Sequence, residues 1–309
     1  MFYLRGVMVA LGFFGVVYCL LSLLVVCGWR CACLLCRDSV VSRARLLFAV
    51  RILPLAASAF LTLAFALPAF LLLERVIDED LGTYLFSACT LLLLAAGWLR
   101  VVAAQTRASR VVAKWLEGAR ALDTDAAGPA LQSGQGPPLL LYGVSTPIIL
   151  ASDAAVALLS PGELRVAVQH EIGHIRSRDN LKKLIVYATS FPGMAGLEQA
   201  WQDAAEFAAD EAAIATCDDA VDLASALIKL ADLAPMQDLP AFTTGLVNCP
   251  ALVRRRVQHL LEWDEPGSHA DRRPWWFFLP VVLATASYIS AHYGQALLFT
   301  HQFTEWFIH

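Results

Sequence analysis

Two histidines and a glutamate near the middle of the chain are the residues best suited to chemistry. His170, Glu171 and His174 follow the order His-Glu-x-x-His, and a helix with about 3.6 residues per turn would place both histidines on one face. Two imidazole nitrogens one turn apart can bind a single metal ion, with the glutamate beside it as a candidate general base. Because a catalytic zinc ion has three protein ligands and a water, the pattern predicts a third ligand further along the chain.

A chance match is the alternative, since the chain contains seven histidines. A helix that only packed against its neighbours would gain nothing from these polar side chains, because burying an unpaired polar group costs roughly 2–7 kcal/mol. We therefore interpret the segment as a zinc-binding helix.

A second acidic helix offers candidates for the third ligand. Residues 197–217 are rich in alanine and acidic residues and predict a helix, on which Glu206 and Asp210 share one face. Glu206 could complete a His-His-Glu set while Asp210 accepts a hydrogen bond from a metal-bound imidazole. By spacing alone, ordinary surface charge is the alternative for any of these residues, and three rival ligands remain open: Glu198, Asp203 and Glu211.

Several further residues have more than one interpretation. Asp179 is either a second carboxylate that holds a ligand imidazole or a polar residue at the helix end. Two basic residues are candidates for stabilising negative charge on a substrate oxygen: Arg255 and His259. Three cysteines beside an apolar run could belong to a metal site, carry palmitoyl groups or only pack: Cys31, Cys33 and Cys36.

The composition indicates a membrane protein. The 309-residue chain is 58% hydrophobic and only 16% charged, whereas about a quarter of the residues are charged in an ordinary soluble domain. Its mean hydropathy is +0.59. The net charge of −4 argues against the basic face of a nucleic-acid-binding protein, so we expect no nucleic-acid partner.

Apolar runs predict about four transmembrane helices in an otherwise mainly α-helical protein. Three precede the histidines, at about 6–28, 52–73 and 84–104, and a fourth begins at Trp275; each is long enough to cross a hydrocarbon core of about 30 Å. Lysine and arginine cluster in residues 30–51 and after the third run, which places these segments in the cytoplasm. The N-terminus is then outside, as is the C-terminal tail.

The segment between the third and fourth runs has the mixed, charged pattern of a globular domain. We predict a membrane domain over 1–104, an α+β zinc-peptidase domain over 105–273, and a C-terminal span with a short tail over 274–309. The peptidase domain is thus inserted between the third and fourth spans.

Local signals predict two helices and a β-hairpin within that domain. Residues 111–122 have the pattern of an amphipathic helix, and the runs 139–142 and 147–150 predict two strands of a hairpin. Ser160, Pro161 and Glu163 form a helix-start signature, with a serine cap, proline in the first turn and glutamate in the capping-box position. The histidine helix should therefore begin near Pro161.

Three segments resemble the membrane metallopeptidases typified by the BlaR and MecR β-lactam sensor-transducers, namely VSTPIIL at 144–150, HEIGHIRSRDN at 170–180 and EFAAD at 206–210. The resemblance covers roughly 105–265 and implies a gluzincin-type fold. It also implies zinc ligands at His170, His174 and Glu206, because the family uses both histidines of HExxH and the glutamate of a downstream ExxxD. The sequence ends soon after the fourth run, so we expect no extracellular penicillin-binding domain.

The combined expectation is a multi-pass zinc endopeptidase of the bacterial cytoplasmic membrane, cleaving a peptide bond near the cytoplasmic face in regulatory proteolysis. The expected substrate is a protein or peptide, either a transcriptional repressor or a membrane protein, and the assembly is left open between a monomer and a dimer. A similar motif pair occurs in the HtpX group, so a membrane quality-control protease is one alternative. A non-hydrolytic zinc-binding signalling or scaffold protein is the other.

Overall fold

The structure is a computed structural model that describes seven stretches of the chain: 2–35, 39–73, 81–122, 130–233, 243–246, 250–263 and 287–308. It divides into two compact units. The apolar unit contains residues 1–28, 50–96 and 266–309, and the site unit contains residues 29–49 and 97–265.

Long apolar helices dominate the N-terminal third. They are α1 (Phe2–Leu35), α2 (Val40–Leu61), a π-helical turn (Thr62–Ala66), α3 (Leu67–Leu73) and α4 (Leu81–Leu116). Three stretches are long and apolar enough to cross a membrane: Phe2–Cys31, Val40–Leu73 and Tyr84–Leu116. The prediction of a mainly helical, membrane-associated protein is confirmed at this level. The first half of the predicted fourth run lies outside the described residues, and its last part belongs to α11 (Tyr293–Ile308).

Within the apolar unit, the π-helical turn precedes a proline. Pro68 has no N–H to donate to the carbonyl of Ala64, four residues earlier. The hydroxyl of Tyr293, on α11, donates to that carbonyl at 2.7 Å. Such side-chain donors are what allow proline within helices in an apolar environment.

A small mixed sheet forms one layer of the site unit. Its strands are β1 (Arg120–Ala121), β2 (Ala130–Ser133), β3 (Leu139–Tyr142), β4 (Ile148–Ser152) and β5 (Thr243–Gly245), in the order β1-β2-β4-β3-β5. Strands β2 and β4 are parallel, and the other neighbours are antiparallel.

The predicted hairpin is confirmed as β3 and β4, with Leu140 opposite Leu150. Gly143 in its turn has φ of +101°, and an added Cβ would lie 2.6 Å from the carbonyl oxygen of Thr146, so glycine is required there. The prediction of a helix over 111–122 is wrong at the C-terminal end. Helix α4 stops at Leu116 because Gly118, with φ of +76°, reverses the chain into β1.

Helices cover the sheet and carry the candidate site. They are α5 (Asp153–Leu158), α6 (Pro161–Ser177), α7 (Asp179–Ala188), α8 (Ala195–Ala213), α9 (Cys217–Leu233) and α10 (Pro250–Leu261). The sheet, α6 and α9 share one core, in which Ile149, Val168 and Leu227 are fully buried. The predicted helix over 197–217 is confirmed as α8, although it ends at Ala213 because Ile214 is extended.

Candidate metal centre

Helix α6 begins as predicted and presents three polar residues to the interior. The side chain of Ser160 accepts a bond from the N–H of Glu163, and the Glu163 carboxylate accepts one from the N–H of Ser160, which completes the capping box. Ten residues into the helix, His170, Glu171 and His174 are at most 1% exposed. The apolar positions that place them there are Val166, Ala167 and Val168, which pack into the core.

Glu206 of α8 lies opposite the two histidines. The Nε2 atoms of His170 and His174 are 3.2 Å apart, and they lie 3.6 and 3.7 Å from the nearest carboxylate oxygens of Glu206. Ligands bound about 2.05 Å from a tetrahedral zinc ion would be separated by roughly 3.3 Å. These three side chains therefore form a group that could hold a metal ion.

Each histidine is oriented by a buried carboxylate on its other nitrogen. Nδ1 of His170 lies 2.9 Å from Oδ1 of Asp210, and Nδ1 of His174 lies 2.7 Å from Oδ2 of Asp179. With the Nδ1 protons donated to these carboxylates, the Nε2 lone pairs face the space between the rings. Asp179 fits both of its interpretations, because it is the first residue of α7 and its carboxylate also contacts a candidate ligand.

A left-handed residue brings Asp179 back to its histidine. Arg178 separates α6 from α7 with φ of 55°, a conformation uncommon for residues other than glycine. Its N–H caps the end of α6, and Asn180 donates to the carbonyl of Gly143 at 3.0 Å. The turn thus fixes the first residue of α7 against the histidine helix.

Arg256 is the cation at the back of the site, and the sequence analysis did not identify it. It is 1% exposed on α10. Its guanidinium donates to both oxygens of Asp210 at 2.5 and 2.7 Å, to Glu206 at 3.0 Å and to the carbonyl of Leu246 at 2.7 Å. One side chain therefore holds the candidate third ligand and the carboxylate that orients His170.

A sequence signal for Arg256 does exist. On α10 the buried positions are Leu252, Val253, Arg256 and Leu260, which is the spacing of an apolar stripe. An arginine in such a stripe requires buried carboxylates as partners, and Glu206 and Asp210 are those partners here.

The charge of the site suits a cation at its centre. Four buried carboxylates meet there, from Glu171, Asp179, Glu206 and Asp210. Arg256 and Lys182 contact some of them directly, and the charges of three of them act on Lys183, so four carboxylates face three cations and one negative charge is left to be offset. Neither oxygen of Glu171 has a hydrogen-bond partner among the described residues. A buried carboxylate in that state is costly, and it is suited to receive a proton from a molecule bound beside it.

The electrostatics separate Glu171 from its neighbours. Burial raises the pKa of Glu171. Burial alone would also raise the pKa of Glu206, but the neighbouring His170 imidazole and the charge of Arg256 hold it well below its usual range. For His170, burial opposes protonation, yet the carboxylates of Asp210 and Glu206 outweigh burial and raise its pKa to about 9. A proton and a metal ion therefore compete for His170.

The rival acidic residues have other partners. Asp203 pairs with Arg255, which is 3.5 Å away and largely exposed, and Glu211 lies 3.6 Å from His259. Among the described residues the possible metal group includes none of the rivals. Arg255 and His259 both lie beside Phe207, so neither candidate for oxygen stabilisation contacts the histidines. Cys31 is exposed, and the side chains of Cys33 and Cys36 lie outside the described part of the chain.

A pocket of about 60 Å³ opens beside the candidate ligands. His174, Glu206 and Asp179 line it, together with Lys183 and Trp201. Its size leaves room for about two water-sized groups. The candidate centre thus has an adjoining space in which a small part of a ligand could lie.

Comparison with known proteins does not identify a family for this chain. No protein-family model matches the chain, and no curated protein matches it either. The structure provides a buried His-His-Glu group that could hold a metal ion, and next to it Glu171, whose carboxylate has no hydrogen-bond partner among the described residues.

Proposed function

We propose that the protein is a membrane-bound, zinc-dependent endopeptidase. The observation that carries the proposal is the pairing of a three-residue donor group with Glu171, whose buried carboxylate has no hydrogen-bond partner in the described part of the chain. A structural zinc site closed by four protein ligands has no use for such a base. The donor set of two imidazoles and one carboxylate is the type that hydrolytic zinc sites use.

Zinc bound by His170, His174 and Glu206 would lower the pKa of a water toward about 7 and polarise a substrate carbonyl. The protein's own residues then move the protons. Glu171 accepts one proton from the attacking water as the water oxygen bonds to the carbonyl carbon. Glu171 returns that proton to the amide nitrogen as the C–N bond breaks, which leaves a carboxylic acid and an amine.

The surrounding residues fix the geometry of this exchange. Asp179 and Asp210 hold the two imidazoles by Nδ1, so both Nε2 atoms keep their orientation. Arg256 fixes Glu206 and Asp210 together. Because all of these groups are buried, their charges act with little screening by water.

The membrane setting restricts where cleavage occurs. Three helices of the chain are apolar enough to span a bilayer, and the basic residues at 30–51 favour a cytoplasmic position for the site unit. The resemblance to the BlaR and MecR peptidases adds support for regulatory proteolysis in a bacterial membrane. The substrate is then a protein or peptide that reaches the cytoplasmic membrane surface.

The test uses the full-length protein purified in detergent. We expect about one zinc ion per chain by elemental analysis and cleavage of an unfolded protein that stops on chelation. Glu171→Gln should keep the zinc and lose cleavage by roughly 10²- to 10⁴-fold, and Glu206→Gln should lose zinc. Glu211→Gln, on the same helix as Glu206, is the matched control and should do neither.

The opposite results would overturn separate parts of the proposal. Full cleavage activity in Glu171→Gln would show that Glu171 is not the general base. Bound zinc without any cleavage by the wild-type protein would favour a non-hydrolytic signalling or scaffold role instead.

A further inference from the structure

The small pocket beside the ligands contains a charged residue that the proposed chemistry has not used. Lys183 is the only lysine or arginine among the described residues that line this pocket. It is half-buried, whereas a lysine stem normally extends its ammonium group to water. A cation held next to metal ligands needs an explanation.

Helix geometry directs Lys183 toward the centre. It lies four residues after Asp179, so both are on one face of α7, and Asp179 contacts His174 at 2.7 Å. The carboxylates whose charges act on Lys183 are Glu206, Asp179 and Glu171. All three belong to the candidate site.

The adjacent lysine has a different role. Lys182 donates to Oδ1 of Asp179 at 2.8 Å, and its ammonium lies 5.5 Å from the ring centre of Phe48. It therefore fixes Asp179 from the outer side, while Lys183 lines the pocket. The two lysines are neighbours in the chain and serve different surfaces of α7.

We infer that Lys183 is a catalytic residue that donates an N–H to the carbonyl oxygen of the substrate. The inference rests on the proposed peptidase function. As the water oxygen bonds to the carbonyl carbon, the electron pair of the C=O π bond moves onto the carbonyl oxygen. Lys183 stabilises the negative charge that develops there. The pair returns when the C–N bond breaks and Glu171 protonates the amine. Arg255 and His259 are not placed to do this, because both lie beside Phe207.

The first experiment measures anion binding without turnover. Cobalt(II) is bound to the purified protein, and inorganic phosphate is titrated while the visible absorption of the cobalt is recorded. Lys183→Met should weaken phosphate binding by roughly 10- to 100-fold, Lys183→Arg should restore part of it, and the exposed Lys114→Met should change nothing. Equal cobalt content in all variants separates this effect from misfolding. Equal phosphate affinity in wild type and Lys183→Met would overturn the inference, and a protein that binds no cobalt would overturn the metal centre itself.

The second experiment separates this inference from the proposed function. In a cleavage assay, Lys183→Met should lower kcat by roughly 10²- to 10³-fold with little change in KM. If the wild type cleaves and Lys183→Met keeps its kcat, the inference fails and the peptidase stands. If the wild type cleaves nothing while phosphate affinity still depends on Lys183, the peptidase fails and the anion-binding role stands.

Discussion

Two glutamates of the same helix, eight residues apart, have opposite environments. Glu163 at the start of α6 accepts bonds from the N–H of Ser160, from Ser225 and from Lys229. Glu171, two turns later, is more deeply buried and has no hydrogen-bond partner among the described residues. Burial opposes ionisation of both, but the partners of Glu163 outweigh burial and lower its pKa to about 2, whereas the pKa of Glu171 is raised.

The difference separates a glutamate that stabilises the fold from one that is available for chemistry. A satisfied buried carboxylate holds helices together, since Glu163 joins α6 to α9 through Ser225 and Lys229. An unsatisfied one costs stability and persists where a ligand or a reaction compensates. Substitutions at the two positions, and in the network beside Glu171, should therefore change stability in different directions.

The largest loss of stability is expected from Arg256→Met. It would leave the carboxylates of Asp210 and Glu206 buried without their cation, and breaking a buried ion pair in this way costs about 3–5 kcal/mol. Thermal unfolding of the metal-free protein in detergent would show this as the largest fall in Tm of the set. Arg255→Met, at the exposed neighbouring position, should change Tm little. Similar Tm values for the two variants would show that Arg256 does not support the site.

Glu163→Gln should be the next most destabilising change. A pKa of about 2 in the folded protein against 4.5 otherwise corresponds to about 3 kcal/mol, reduced to roughly 2 kcal/mol because Lys229 is partly exposed. The folded pKa is the lower one, so this stability is complete above about pH 4.5 and is lost as the pH falls toward 2. Measuring the free energy of unfolding of the metal-free wild type and variant at pH 7 and pH 3 tests this pH dependence. A stability difference between them that was larger at pH 3 than at pH 7 would contradict it.

Asp179→Asn should weaken metal binding more than it weakens the fold. An amide can still occupy the space beside His174, but it no longer holds the Nδ1 proton as a carboxylate does, and such changes cost about 10- to 100-fold in metal affinity. Competition with a chromogenic chelator would measure the zinc affinity. Asp218→Asn, at an exposed position on α9, is the control; equal zinc affinities for the two variants would rule out a role for Asp179 at the centre.

Sequence reasoning located the groups of this site that follow one another on a helix. The spacing of His170 and His174, and the capping box that starts α6, are local signals, and the structure bears out both. The strands β1, β2 and β5 were not predicted, because they are two to four residues long and depend on pairing with distant segments. Arg256 and Lys183 were missed for the same reason. Arg256 acts through carboxylates up to 50 residues away, and Lys183 lines a pocket between helices.

The smallest effect on stability, and the one that tests the comparison most sharply, is expected from Glu171→Gln. The raised pKa of Glu171 means that its ionised form opposes folding, so the wild type loses stability as the pH rises from about 4.5 through the folded pKa. A neutral amide of the same shape removes that loss, although its own polar atoms stay unpaired. The metal-free variant at pH 7 should therefore have a Tm equal to that of the wild type or a few degrees higher, whereas Glu163→Gln should lower it. If both substitutions lowered Tm alike, Glu171 would be a structural glutamate, and the base of the proposed peptidase would have to be sought elsewhere.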